Sequence, residues 1–326
     1  MIIKDDVKLT IDNQFLNIKY DKCFAKKITS SQYPALIGID DFNGKGEKTM
    51  SLLNLLERED IDPYWLYRGD IAESLAYEVI RDTFVRRYGE RNVEVILFDS
   101  KDYTYGDQWA YNRETGKGNQ FFGGRVDIGI KVKMPNSDEI KRIVVEVKGK
   151  TYEKHYEMIV GDVAKNIKPR PPITEIEQGK FLATMMNLSS VTMVWVFFNE
   201  EQEIMLREMQ SRNQKFNGEI KASDVKMHFQ LFEFDRNLMV QDMSVASKGL
   251  QLQAKEKRIP LFFFNDKERE IINNHIEEHH KRERMAKAEE QRIGSIIDDG
   301  KNIVDKGGEN ENDNKKTYKE RDDLPF

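Results

Sequence analysis

The chain has 326 residues, with 52 Lys and Arg against 57 Asp and Glu, for a formal net charge of −5. That balance argues against a uniformly basic surface, though a local basic groove can hide in an acidic total. A 39% hydrophobic share supports a real core, enough for one large domain or two small ones. Cys23 is the only cysteine, which excludes a disulfide framework, a zinc ribbon and a Cys-ligated iron–sulfur cluster. No apolar run approaches the roughly 20 residues of a membrane helix, and the N-terminus lacks a signal-peptide core. The expectation is a soluble protein of a reducing cytosol.

In chain order, residues 1–48 offer two short strands, VKLTI and FLNIKY, and a loop at Gly44-Lys45-Gly46, with no evident chemistry. Residues 49–57 read as a short amphipathic helix. A longer helix follows from Tyr67 to Gly89, with Asp70 as N-cap and Gly89 as the residue past its end. Glu73, Tyr77, Ile80 and Phe84 share one face of it. Glu73 is then either the capping-box partner of Asp70 or a carboxylate on the core-facing side, where it needs a partner. NVEVILF, residues 92–98, is a strand. Residues 99–122 form a long loop rich in Tyr and Trp, and Trp109 is a candidate for stacking on bases.

Residues 123–150, GGRVDIGIKVKMPNSDEIKRIVVEVKGK, read as two strands joined by a polar turn at residues 135–138. Folded symmetrically about Asn136 and Ser137, the hairpin sets Asp127 directly across from Glu146, with Cβ atoms roughly 4.5–5.5 Å apart. Lys148 shares the face of Glu146, and Val147 points away. Two carboxylates this close repel unless a cation lies between them. All-oxygen ligands suit Mg²⁺ or Mn²⁺, which can activate water for phosphodiester cleavage, with Lys148 orienting the water or offsetting the developing charge. The bland alternative is an exposed hairpin with a charged wet face.

After the hairpin, Lys150, Lys154, Lys165, Lys168 and Arg170, together with Arg125 before it, are candidate phosphate contacts. Thr174 to Glu177 form a capping box that opens a helix, EIEQGKFLATMMNL, and Gln178 lies on its apolar face beside Phe181, Leu182 and Met185. Residues 191–198 are a strand buried on both faces. HFQLFEF and PLFFF are further strands, and a polar helix covers about 200–214. Residues 266–298 form a long charged helix in which His275 and His279 have metal-ligand spacing on a solvated face. Residues 299–326 read as a disordered tether. Its tip, Asp322, Asp323, Leu324, Pro325 and Phe326, has the acidic and apolar chemistry of a peptide ligand, with a terminal carboxylate for capture.

The ordered set of Gly69 and Glu73 on a helix, Asp127 on a strand, Glu146 and Lys148 on the next strand and Gln178 on a following helix resembles the PD-(D/E)XK nuclease superfamily. Within it, the chain is similar to the lambda-exonuclease and YqaJ-like branch, related to RecB-type domains, over about residues 65–200. Val126 stands where the signature has Pro, and Leu182 where an aromatic often follows the Gln. The DDLPF tip resembles that of bacterial single-stranded DNA-binding protein, with no OB-fold to accompany it.

The resemblance implies an α/β fold, a central mixed sheet flanked by helices, in a nuclease domain over residues 1–265. The charged helix of 266–298 and the tail of 299–326 lie outside it. It implies one or two Mg²⁺ or Mn²⁺ ions on Glu73, Asp127, Glu146 and the Val147 carbonyl, with Lys148 and Gln178 completing the catalytic set. The activity implied is a phage-type exonuclease that resects duplex DNA ends for recombination. Partners are DNA, a protein with a pocket for the tip (an annealing recombinase among the candidates) and further copies of the chain. An endonuclease on the same core, and a non-catalytic recruiting protein acting through its tail, are the alternatives.

Overall fold

In the computed structural model, the described residues are 2–21, 28–37, 39, 49–50, 53, 55–57, 62–98, 122–135 and 137–306; side chains are not described at 35, 246–251 and 295–306. The expectations for Trp109 in the 99–122 loop and for the tip Asp322 to Phe326 lie outside the described residues. The helix expected over 49–57 is described only in part, with Leu56 forming an isolated bridge to Ile3.

The elements in order are β1 (Lys8–Asp12), β2 (Phe15–Lys19), β3 (Ile28–Thr29), α1 (Tyr33–Leu36), α2 (Pro63–Tyr88), β4 (Val93–Leu97), β5 (Phe122–Gly123), β6 (Ile128–Lys133), β7 (Ile140–Thr151), α3 (Tyr152–Val160), α4 (Ile173–Met185), β8 (Ser190–Phe198), α5 (Glu200–Ser211), β9 (Lys226–Glu233), α6 (Arg236–Glu256), β10 (Arg258–Pro260) and α7 (Asp266–Lys306). The central sheet has the order β4-β6-β7-β8-β9. Only β7 and β8 run parallel; the other three pairs are antiparallel. The sheet is therefore mixed, as expected. β1, β2 and β10 make a separate antiparallel sheet.

Strand alternation divides the central sheet into two faces. On one, Ile128, Ile130, Val132, Val145, Val147, Val194, Val196 and Phe198 pack against Ile71, Ala72, Leu75, Ala76 and Ile80 of α2 and Leu206 of α5. On the other, α4 lies against β8, with Gly179 so close that an added Cβ would stand 2.7 Å from Met193 Sδ and 3.1 Å from Val191 Cγ2. β8 is apolar along its length because both faces are covered.

Helix boundaries follow local chemistry. α2 starts at Pro63, not near Asp70: Asp62 caps it by accepting from the Tyr64 N–H at 3.0 Å, and Pro63 occupies a first-turn position that needs no N–H donor. Asp70 is thus inside the helix, and the capping-box reading of Glu73 falls. Gly89, at φ 84°, ends it as expected, its N–H bonding Val85 O at 2.8 Å. α4 begins at Ile173, as soon as Pro171 and Pro172 permit, so Thr174 is not an N-cap and no side chain caps this helix. PLFFF is not a strand: β10 stops at Pro260, which has no N–H for a ladder, and Leu261–Phe263 turn as a 3-10 helix. Helix α6, with Asp235 as N-cap, was not foreseen.

Two compact units divide the chain, Met1–Asn273 and Asn274–Phe326. The described part of the second is helical to Lys306, eight residues past the expected end at 298. Its charged side chains pair along the helix, Arg292 with Glu289 at 3.2 Å and His279 with Glu283 at 3.4 Å.

Candidate active site

The hairpin of β6 and β7 has the register expected from its turn: Lys133 pairs Ile140, and Ile128 pairs Val145. One step further sets Asp127 opposite Glu146, where β6 has given way to a bend. Both carboxylates are buried, at 7% and 4% exposure. Asp127 Oδ2 accepts the Val147 N–H at 2.7 Å. Within a strand the N–H and C=O of one residue point to the same side, so the Val147 carbonyl faces the Asp127 edge. Glu146 Oε1 accepts from Lys148 Nζ at 2.6 Å. Glu146 Oε2 is buried without a hydrogen-bond partner.

Glu73 reaches this end of the sheet from α2. Arg125 Nη2 lies 3.1 and 3.2 Å from its two oxygens and Arg125 Nη1 donates to Phe98 O at 3.1 Å. Gly149 makes the approach of α2 feasible: a Cβ there would meet Ala72 Cβ at 3.3 Å and Arg68 O at 3.5 Å. Arg68 ties helix to strand by donating to Gly149 O at 3.0 Å and to Glu203 at 2.8 Å.

The electrostatics are those of crowded carboxylates. Burial pushes the Glu73 carboxyl up to about 7 against the pull of Arg125, and Asp70 and Glu146 add to the rise. Asp127 is held well above the usual carboxylate range by burial, then by Glu146 and Glu73. Burial pulls the Lys148 ammonium down, but Glu146, Asp127 and Glu175 outweigh it and hold it above its ordinary value. Lys148 is therefore a firm cation and a pure donor.

Among the described residues, no three His, Cys, Asp or Glu side chains form a group ready to hold a metal ion, at the His275 and His279 pair or elsewhere. The donors here are two carboxylates and a main-chain carbonyl, with Glu73 turned to Arg125. An orphaned, buried Glu146 oxygen beside a buried carboxylate fits a hard divalent cation, whose charge relieves both.

The other expected residues fall differently. Gln178 is half-buried on α4 and makes no side-chain hydrogen bond among the described residues. One turn earlier on the same face, Glu175 bonds Lys150 and accepts from Trp195 Nε1 at 2.8 Å. Lys150 and Arg125 are each paired with a carboxylate, Glu175 and Glu73 respectively. Lys165 pairs Glu157 and Asp162. Lys154, Lys168 and Arg170 are exposed. Glu175 escaped the sequence reading, although its spacing from Gln178 was visible; Trp195, its donor, carries no signal beyond a buried strand.

No protein-family model matches the chain, and no curated protein matches it. Among solved structures it is similar to an alkaline exonuclease (LHK-Exo) from Laribacter hongkongensis, at 14% identity and a TM-score of 0.37, over 71% of this chain and 90% of that one. It is also similar to a phage related exonuclease from Haemophilus somnus 129PT, at 12% identity and a TM-score of 0.39, over 72% and 95%. Likenesses this low carry no argument about chemistry, which rests on the site itself.

Proposed function

We propose that the chain is a metal-dependent deoxyribonuclease that degrades duplex DNA from its ends. The observation that carries this reading is Glu146 Oε2, a buried carboxylate oxygen with no partner, across a hairpin from a second buried carboxylate. Leaving such an oxygen bare costs on the order of 1–3 kcal/mol, a cost that a bound divalent cation would offset.

Asp127, Glu146 and the Val147 carbonyl would hold Mg²⁺ or Mn²⁺, and Glu73 would join them on leaving Arg125. When bound, such an ion activates water and stabilises the charge of phosphodiester cleavage. Asp127 is fixed through one oxygen by the Val147 N–H, and its second oxygen would be the one to serve as a ligand. Lys148, held as an ammonium, donates to the attacking water or to a phosphoryl oxygen and opposes the negative charge that builds there. Arg125, once parted from Glu73, is a guanidinium at the rim of the site with a planar fork suited to phosphate. Exposed Lys168 and Arg170 supply backbone contacts of the kind that position a duplex without reading its sequence. The choice of DNA as substrate and of ends as the point of attack is what the resemblance of Gly69, Glu73, Asp127, Glu146, Lys148 and Gln178 to the lambda-exonuclease-like branch implies.

Linear and covalently closed duplex DNA, each with Mg²⁺ or EDTA, provide the test. Mg²⁺-dependent loss of the linear form alone is the expected result. Cutting of the closed circle would replace the exonuclease with an endonuclease, and no cleavage of either would overturn the catalytic reading.

A further inference from the structure

Glu146, Lys148 and Lys150 form a row on one face of β7, successive members about 6–7 Å apart. Within that row two ammonium groups face one carboxylate. Glu146 takes Lys148, and Lys150 pairs instead with Glu175 of α4. Glu175 stands in the first turn of α4, where an acidic residue ordinarily turns back to the free N–H groups of its own helix. Here Pro172 provides no side-chain cap, yet Glu175 does not supply one. One of its oxygens binds Lys150, and the other is fixed by the indole N–H of Trp195. Trp195 is fully buried in β8 and is the register partner of Lys148, so its N–H is a post set in the core at the level of the site. All four charged side chains are largely shielded, Lys148 at 24%, Glu146 at 5%, Lys150 at 18% and Glu175 at 13% exposure. Charges screened this little from one another compete strongly.

We propose that Glu175 is a positioning residue: anchored by Trp195, it holds Lys150 away from Glu146, so that Glu146 serves only Lys148 and the catalytic cation. The inference rests on the metal-site reading above. Without the Glu175 charge, Lys150 turns along the same face toward the next carboxylate in its row. A second ammonium on Glu146 then competes with the divalent ion.

Calorimetric titration of Mn²⁺ into the full chain, without DNA, tests it. Glu175→Gln keeps the shape and can still accept from Trp195 but loses the charge; it is expected to weaken Mn²⁺ binding about tenfold. Adding Lys150→Met removes the competitor and is expected to restore affinity to within about threefold of the wild type. A merely structural Glu175 would not be rescued this way. Should Glu175→Gln fail to fold, Trp195→Phe keeps a ring in the core while removing the anchoring N–H. That variant is expected to lose affinity several-fold and to regain it with Lys150→Met. Undiminished binding in Glu175→Gln, or in Trp195→Phe, or a loss that Lys150→Met does not repair, overturns the proposal. A wild-type chain that binds no divalent cation overturns the metal-site reading and takes this inference with it.

Discussion

Strand β7 carries two molecules' worth of different chemistry on its two faces. Val145 and Val147 point toward α2 and are packed among Ile71, Leu75 and Ile128 with no polar contact to satisfy. Glu146, Lys148 and Lys150, the residues between and beyond them, point toward α4 and form a chain of charges that ends on Glu175 and Trp195. The same backbone serves both, because side chains alternate with a period of two. The apolar face supplies the energy that holds the strand still. The charged face is unfavourable by itself, and can be kept only on a strand made rigid from behind.

That contrast is open to attack from either side. The largest effect is expected on the charged face and in activity. Lys148→Met should lower single-turnover cleavage of linear duplex by about a thousandfold, roughly 4 kcal/mol of transition-state stabilisation, with a smaller loss of about 1–3 kcal/mol in urea unfolding because buried Glu146 Oε1 then loses its donor. Activity within tenfold of the wild type would remove Lys148 from the proposed chemistry.

The opposite pattern belongs to the apolar face. Ile130 is 1% exposed on β6 behind the site. Ile130→Ala should cost about 2–5 kcal/mol in urea unfolding, with metal affinity unchanged in the fraction that remains folded. A specific loss of metal binding would mean that the two faces are not separable.

The smallest effect concerns the cost of the charged face itself. Glu73 titrates at about 7 in the fold, against about 4.3 in an unfolded chain. Between these values the folded protein keeps a proton that the unfolded chain has released. Its contribution to stability is therefore present in full below the lower value and is lost as pH rises through the upper one. Asp127 acts in the same direction. In EDTA, unfolding free energy should fall by about 2 kcal/mol from pH 5 to pH 8. Asp127→Asn should flatten that slope and raise stability at pH 8, though it removes a metal ligand. Mg²⁺ should restore the wild type and not the variant. A midpoint that does not change with pH, with or without the ion, would show that these carboxylates are solvated.

Much of this site could be read from the chain alone where the interaction is local. The pairing of β6 with β7 has the register expected of a symmetric hairpin, and that register puts Asp127 across from Glu146 and turns Val147 inward. The apolar run of β8 announced a strand covered on both faces. Helix starts were less legible, because Asp62 with Pro63 and the Pro171-Pro172 pair set them more firmly than the capping patterns around Asp70 and Thr174. Helix α6 was missed although Asp235 accepts from the N–H groups of Asn237 and Leu238 at 2.8 and 3.2 Å, a cap that is weak evidence without a clear apolar stripe behind it.

The hairpin, its register and the row of Glu146, Lys148 and Lys150 follow from the two-residue period of a strand and from turn chemistry within a few residues. Where the charges are answered is a matter of packing: Glu73 by Arg125, Lys150 by Glu175, and Glu175 by an indole on another strand. Those partners are set by which helix covers which face of the sheet. That choice is made by packing between segments distant in the chain, and it leaves no periodic trace in the sequence around the site.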